Sequence, residues 1–369
     1  INAYSLTGNP TPVNATLWLR VNAAALQGTD AELQDYLDRG VIDSYFDPTI
    51  REYILKDEHP EAVGKVTIGD EGPFQAGSWQ TIEQTYTVAR RPLRSGGVIL
   101  LGKQLMADQG AFQLTDPSAD NYVSIRSSNP RVRFTPTTSG LYGMHGGFRG
   151  AVPMPAFRVE GGNLQEGDTF TVVYGDRSSG SKGFQVQTFM NDRALLPLYV
   201  DLDGDGLFVT PSWPSFSVEG VEPVRVRAVA PSVVASNESF DVTVRTEDRY
   251  YNRATGSIPA YELTLNGRAL EALPASDYGL STIRGVRIAS PGVYRFELRS
   301  ADGKITGSSN PVWVQPEPRK RLYWGETHAH TGMAEGQGSI DGFYRYGRDE
   351  ARLDFLGLSE HDIWLDDYE

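Results

Sequence analysis

The sequence has no cysteine and only five histidines in 369 residues. Without cysteine, the protein can use neither disulfide bonds for stability nor a thiolate for catalysis. Basic residues are outnumbered by acidic ones, 34 to 47, and the formal net charge is −13. Because binding to phosphate backbones needs basic surface, this balance argues against a nucleic-acid partner. No apolar run is long enough for a helix to cross a bilayer.

Glycine and proline are abundant instead, with 39 and 22 copies, and short strand-like runs lie between turn residues. Regularly spaced strands predict a β-sandwich over residues 61–222. Residues 223–316 predict an immunoglobulin-like β-sandwich, with a tight hairpin turn at Asn266-Gly267. Residues 1–60 predict a mixed α/β segment packed on the first sandwich. The predicted fold class is therefore mainly β.

Three of the five histidines are concentrated near the end of the chain, at His328, His330 and His361. Imidazole is the commonest metal-ligating side chain in proteins. In an extended segment, residues two apart point to the same side, so His328 and His330 would face a common point. This spacing predicts a metal site that the acidic Glu335 can join.

The residues around these histidines predict a strand–helix–strand unit within residues 317–369. Apolar runs at 322–327 and 354–359 are typical of buried strands, and Ser339 would cap a helix over 340–353. Strand, helix and strand within about forty residues is a βαβ unit with parallel strands. The ends of such strands meet at one sheet edge, which would bring the histidines together.

These motifs resemble those of the PHP (polymerase and histidinol phosphatase) superfamily of metal-dependent hydrolases. Its H-x-H, Asp-Gly and Thr-Asp-His motifs are matched by His328-Ala-His330, Glu335-Gly336 and Ser359-Glu360-His361. Glutamate replaces the family's aspartate at Glu335 and at Glu360. The phrases Trp324-Gly-Glu-Thr-His-Ala-His and Tyr344-Arg-Tyr-Gly-Arg-Asp are similar to a family of exported bacterial proteins, a domain of unknown function with β-rich domains ahead of the PHP-like part.

The resemblance implies a metal-dependent hydrolase that acts on a phosphoester or related ester, in a small molecule or a polymer, in the periplasm or outside the cell. Zinc is the first choice of metal, with manganese or iron next. The metal ligands would be His328, His330, Glu335 and His361. Asp362 and Glu360 would be catalytic, Asp362 as a carboxylate that orients an imidazole. A complete α/β barrel needs about 200 residues or more, so this chain would hold only its first βαβ unit.

A second acidic motif, Asp201-Leu-Asp-Gly-Asp-Gly206, matches the start of an EF-hand calcium loop. Asp201, Asp203 and Asp205 would supply the carboxylate oxygens that Ca²⁺ prefers. The twelfth position of such a loop needs glutamate, but Ser212 stands there. The alternative is an acidic turn between two strands, without calcium.

Two other functions fit the composition. One is a structural or adhesive extracellular β-sandwich protein whose C-terminal stretch does no chemistry. The other is carbohydrate binding by the first sandwich, which would need aromatic side chains on an exposed face. The chain begins at Ile1 rather than methionine, which removal of a signal peptide from an exported protein would explain, as would fragmentation of a longer chain.

Overall fold

The computed structural model describes residues 64–360, except 105, 144–146, 205, 207, 210, 212 and 333–335. The predictions for residues 1–60 lie outside the described residues, as do those for Asp205, Glu335, His361 and Asp362. Strands dominate the described part, and the prediction of a mainly β protein is confirmed. No helix among these residues is long and apolar enough to span a bilayer.

The first sandwich is built from strands between residues 65 and 219. In chain order they are β1 (Lys65–Ile68), β2 (Phe74–Gln75), β3 (Trp79–Gln80), β4 (Ile82–Thr87), β5 (Val98–Leu101), β6 (Val123–Ser127), β7 (Arg133–Gly143), β8 (Gly147–Glu160), β9 (Thr169–Tyr174), β10 (Phe184–Gln185), β11 (Asn191–Leu195), β12 (Leu198–Asp201), β13 (Phe208–Val209) and β14 (Ser215–Glu219). The main sheets have the orders β1-β4-β9-β6 and β13-β12-β5-β8-β7, with smaller sheets β11-β14-β2 and β10-β3. The two main sheets enclose one hydrophobic core.

The alternation of β4 explains why its sheet faces the core on one side. Ile82, Gln84 and Tyr86 are fully buried, whereas the alternate residues Glu83, Thr85 and Thr87 are partly or fully exposed. The Tyr86 ring stacks on Phe170 of β9 with centroids 4.8 Å apart. The buried Gln84 amide is satisfied, because it donates to the Leu196 carbonyl and accepts from the Tyr174 hydroxyl, both at 2.9 Å. Alternation along the strand thus turns large side chains toward the core, and the polar one among them, Gln84, forms hydrogen bonds there.

The second sandwich follows directly, and its predicted likeness to an immunoglobulin domain stays a prediction. Its strands are β15 (Arg225–Val229), β16 (Val233–Ala235), β17 (Phe240–Glu247), β18 (Thr255–Ile258), β19 (Tyr261–Leu265), β20 (Arg268–Leu273), β21 (Ser276–Tyr278), β22 (Leu280–Val286), β23 (Gly292–Tyr294), β24 (Phe296–Ser300), β25 (Thr306–Ser308) and β26 (Val312–Gln315). They form sheets β15-β17-β22, β16-β26-β23, β20-β19-β24-β25 and β18-β21 around a core of their own. The predicted hairpin at Asn266-Gly267 joins β19 to β20, and both residues have the positive φ that such a turn requires, 49° and 75°.

The two sandwiches contact each other directly. The side chain of Asn252 joins them, because its Oδ1 accepts from the Met190 amide at 2.8 Å and its Nδ2 donates to the Thr188 carbonyl at 2.9 Å. The ring of Tyr250, also in the second sandwich, packs against the core of the first. Directional hydrogen bonds and an inserted aromatic ring together orient one sandwich on the other.

The C-terminal unit consists of β27 (Gly325–Glu326), helix α1 (Ile340–Arg345), a π-helical turn (Tyr346–Glu350) and β28 (Phe355–Leu356). β27 and β28 pair in parallel, with Gly325 opposite Phe355, which is the predicted strand arrangement. The strands are two residues long rather than six. Within the described residues no further strand joins this pair, and no barrel is formed.

The helix of the C-terminal unit is shorter than the predicted 340–353. Ser339 caps its start as predicted, and its hydroxyl oxygen accepts a backbone amide at 2.9 Å. At the other end, the Ala351 amide bonds to the Tyr346 carbonyl, five residues back, at 2.9 Å. Arg352 then has a positive φ of 55°, the left-handed conformation in which helices commonly end. The spacing of apolar residues does not reveal such a change in backbone conformation. The helix was therefore predicted to end too far along the chain, at residue 353.

Candidate functional site

His328 and His330 lie just past the C-terminal end of β27, as their sequence spacing predicts. Their rings meet edge to face, with centroids 5.3 Å apart and an interplanar angle of 74°. His328 is exposed, whereas the side chain of His330 keeps only 18% of its surface accessible. The structure therefore brings these two predicted ligands together beside one strand end.

Glu360 follows β28 and ties the two strand ends together. Its Oε1 accepts hydrogen bonds from the Thr331 amide at 2.7 Å and the Thr331 hydroxyl at 2.5 Å. Its Oε2 lies 3.6 Å from Nδ1 of His330. The Ser359 amide also donates to the Ala329 carbonyl at 3.0 Å. The residue predicted to be catalytic thus binds a neighbouring loop with one oxygen and turns the other toward a predicted ligand.

Glu326, which the sequence pattern did not single out, also holds the histidine segment. Its Oε1 accepts from the amides of Thr327 and His328, each at 2.9 Å. Hydrogen bonds from the His328 and Thr327 amides favour the charged carboxylate, so they hold the pKa of Glu326 below its ordinary value. The only sequence signal for this role is a carboxylate two positions before the first motif histidine.

No group of three metal-ligating side chains comes together among residues 64–360 as far as they are described. Glu335, His361 and Asp362, which the sequence adds to the histidine pair, lie outside the described residues. The structure therefore places half of the predicted constellation, and the metal site as a whole stays a prediction.

The carboxylates of the predicted calcium loop bind groups of the protein itself. Asp201 is buried, and its oxygens accept from two backbone amides of the turn at 2.7 and 2.9 Å. Asp203 pairs with Arg91 at 2.9 Å and with Arg94 at 3.2 Å. These contacts fit the alternative to a calcium loop, an acidic turn whose carboxylates bind backbone amides and arginine side chains. Because Asp205 lies outside the described residues, calcium binding at this loop stays a prediction.

The start of α1 is held by the first sandwich. Asp192 in β11 accepts hydrogen bonds from the Ser339 amide at 2.9 Å and from the Ser339 hydroxyl. A Cβ at position 342 would lie 2.4 Å from Asp192 Oδ2, so this close approach requires Gly342. The side chain of Asn191 adds a hydrogen bond of 2.8 Å to Gln337. Sequence reasoning missed Asp192, because its partners are remote in the chain.

The end of the same helical segment, residues 340–350, is held by the second sandwich through buried charges. Glu350 is 5% exposed and pairs with Arg245 at 3.2 Å and with Arg253. Arg245 also pairs with Glu247, which is 1% exposed and pairs in turn with Arg227 at 2.6 Å. Positive and negative groups alternate along this buried ion chain, whose outer member Arg227 is half exposed. Each buried carboxylate therefore has partners, as an interior with little water requires.

The linker before β27 also lies against the second sandwich. The Trp324 indole donates to the Ser232 hydroxyl at 3.0 Å, and Arg321 pairs with Glu238 at 2.8 Å. A groove of about 1040 Å³ separates this linker from the sandwich elsewhere. A cavity of about 690 Å³ lies where both sandwiches meet the helical segment. The C-terminal unit thus touches both sandwiches at several points.

No family model matches the sequence. An uncharacterized protein of Chlamydia trachomatis is 30% identical over 210 residues, which cover 54% of this chain and 34% of the relative. An uncharacterized protein of Chlamydia pneumoniae is 27% identical over 218 residues, which cover 54% of this chain and 35% of the relative. The chain therefore spans about a third of the length of the curated relatives that it matches.

Among solved structures, the C-terminal domain of the Streptococcus agalactiae AgI/II polypeptide BspA gives a TM-score of 0.27 at 8% identity, covering 68% of this chain and 99% of that one. The D00-D0 domain of Intimin gives 0.25 at 11% identity, covering 69% and 100%. The ectodomain of mouse nectin-like molecule 4 gives 0.23 at 13% identity, covering 70% and 66%. At these identities the similarity concerns the fold alone.

Proposed function

We propose that the described residues form the structural module of an exported bacterial protein, in which two β-sandwiches hold a C-terminal unit in one orientation. The observation that carries this proposal is that both sandwiches bind the same helical segment, residues 340–350. The first sandwich binds its start through Asp192, and the second binds its end through Arg245 and Arg253.

The chemistry of these contacts supports a role in orientation. A buried ion pair adds little net stability, but the loss of one partner is costly because the other charge is left unpaired in the interior. The pairing of Glu350 with Arg245 therefore favours one docked arrangement over all others. The bonds from Ser339 to Asp192 act at the opposite end of the segment, so they prevent it from pivoting about the ion pair.

Replacing Asp192 with alanine should loosen the start of the helical segment and leave the sandwiches folded. The change removes both hydrogen bonds from Ser339, and the loss of a comparable helix-capping contact costs about 1–2 kcal/mol. Amide hydrogen exchange at residues 339–345 of the full chain should therefore speed up about 5- to 30-fold.

The matched control for this experiment is Asp116→Ala. The Asp116 carboxylate is exposed and its hydrogen bonds go to Ser118 within its own turn. Exchange in the helical segment should therefore equal that of the wild type. If Asp192→Ala gives the same exchange as this control, the first sandwich does not hold the segment and the structural proposal fails.

A second candidate function, metal-dependent ester hydrolysis, is favoured by the geometry around the histidines. His328 and His330 are adjacent at the end of one parallel strand, and Glu360 follows the neighbouring strand. Imidazole nitrogens with carboxylates suit zinc first, and also manganese or iron. Oε2 of Glu360 is buried and accepts no hydrogen bond from the described residues, which is unusual unless a site engages it.

In this second candidate, the metal would be held by His328, His330, Glu335 and His361. The bound metal would supply an activated water and stabilise charge that develops on a phosphoester or related ester, in a small molecule or a polymer outside the cytoplasm. Asp362 would orient one imidazole. This candidate function also includes the prediction that residues 317–369 are the βαβ start of a PHP-type barrel.

Replacing His328 or His361 with alanine should abolish stoichiometric metal binding, because each change removes one of a few ligands. Metal content is measured by mass spectrometry on the purified protein, and ester hydrolysis is followed in parallel. His59→Ala, a histidine outside the motifs, is the control and should keep both properties. If metal content and hydrolysis survive both motif changes, this candidate is rejected.

A further inference from the structure

The two oxygens of Glu360 contact neighbouring residues of one loop. Oε1 accepts both hydrogen bonds from Thr331, whereas Oε2 lies 3.6 Å from Nδ1 of His330. This separation exceeds the usual N–H···O hydrogen-bond distance of about 2.7–3.2 Å, so the contact is a close electrostatic one. Oε1 therefore anchors the carboxylate, and the anchored carboxylate presents Oε2 to the imidazole.

The surroundings make this contact effective. The side chains of His330 and Glu360 are only 18% and 12% exposed, so water screens the carboxylate weakly. Thr331 is fully buried, which keeps the anchor in place. Within the described part of the chain Oε2 accepts no hydrogen bond, and an N–H group is what a buried carboxylate oxygen needs.

A neutral imidazole carries its proton on one of two nitrogens, and only the other nitrogen can bind a metal ion. A carboxylate beside Nδ1 favours the proton on Nδ1, which leaves the lone pair on Nε2. Metal-binding histidines commonly donate their second N–H to such a carboxylate, which fixes the ring and raises its basicity as a ligand.

We propose that Glu360 is a positioning residue that holds His330 as the Nδ1–H tautomer and thereby makes Nε2 the atom that binds a divalent cation. The cation part of this inference rests on the second candidate function, whereas the tautomer does not. In this role Glu360 is neither a ligand nor a proton donor to substrate, in contrast to the catalytic role predicted from the motif.

The tautomer is measured in the metal-free full chain by two-bond ¹⁵N–¹H correlations after selective labelling of histidine. The chain has five histidines, and a His330→Ala spectrum identifies the signal of interest. At about pH 8, where ordinary imidazoles are neutral, we expect the Nδ1–H form in the wild type. In Glu360→Gln the amide oxygen can keep the bonds to Thr331 while the NH₂ group faces Nδ1, so the Nε2–H form should replace it.

The same proteins are then titrated with Zn²⁺. Glu360→Gln should bind zinc about 10- to 100-fold more weakly, the usual effect of losing such a partner. The matched control is Glu262→Gln, the same substitution at an exposed position of β19, and it should retain the Nδ1–H form. An Nε2–H signal in the wild type, or one tautomer shared by wild type and Glu360→Gln, would overturn the proposal. The expected tautomers without zinc binding would uphold the positioning role and reject the metal function.

Discussion

Replacing Glu350 with alanine should destabilise the docking of the C-terminal unit by about 3–5 kcal/mol, the cost of removing one partner from a buried ion pair. Two arginines lose this partner at once, Arg245 with a side chain 7% exposed and Arg253 at 20%. The buried ion chain then holds Arg227, Arg245 and Arg253 against Glu247 alone. The unit should therefore open far more often than in the wild type, while both sandwich cores stay folded.

Hydrogen exchange at residues 339–356 measures this opening, and limited proteolysis of the unit gives a second readout. Asp349→Ala is the matched control, because Asp349 is the preceding residue and pairs with the exposed Arg348 at 2.7 Å, a surface contact that adds little to stability. Glu350→Gln separates the loss of charge from the loss of volume. Equal protection in Glu350→Ala and Asp349→Ala would mean that the buried ion chain does not hold the unit.

Replacing Phe170 with alanine should destabilise the first sandwich by about 3–5 kcal/mol. Phe170 is fully buried in β9, stacks on Tyr86 at a centroid distance of 4.8 Å and meets Phe134 edge-on at 6.1 Å. β9 is hydrogen-bonded to β4 on one side and β6 on the other. Because both neighbours fix its position, the strand cannot move inward to fill the cavity that alanine leaves.

Chemical denaturation, with exchange of the β4 and β9 amides as the local readout, measures this loss. Thr87→Ala, at the exposed end of β4, is the control and should change the free energy of unfolding by less than about 0.5 kcal/mol. Since Asp192 belongs to the first sandwich, protection at residues 339–345 should fall together with protection of β9. A Phe170→Ala protein with the wild-type denaturation midpoint would contradict this packing.

The two candidate functions concern different side chains, so experiments can separate them. Asp192 and Glu350 hold the helical segment, whereas His328 and His330 lie at the end of β27. A protein with His328→Ala should keep wild-type exchange in the helical segment even if it loses metal. Conversely, if neither the wild type nor any variant binds metal, the structural role of the sandwiches is unaffected.

Local features of this protein could be predicted from the order of its residues. The inward alternation of β4, the hairpin at Asn266-Gly267 and the cap at Ser339 each depend on residues a few positions apart. The parallel pairing of β27 with β28 follows in the same way, because a strand–helix–strand order within a short stretch allows little else. The adjacency of His328 and His330 is a consequence of that local geometry.

The contacts that join the units were decided only by the tertiary structure. Asp192 and Ser339 are 147 positions apart, and Arg245 and Glu350 are 105 positions apart. In a sequence such residues look like any exposed charge or hydroxyl. Folding of two separate cores removes them from water, and groups that lose water must bind one another.

Glu360 shows the same division between sequence and structure within the candidate site. The position of Glu360 directly before His361 predicted a catalytic role for it. The sequence also determined that Glu360 would lie at a strand end beside the histidines. Only the fold decided that Thr331, 29 positions earlier, would take one of its oxygens. The physical reason is burial: Thr331 has no access to water, so its amide and hydroxyl need an acceptor, and the Glu360 carboxylate accepts from both.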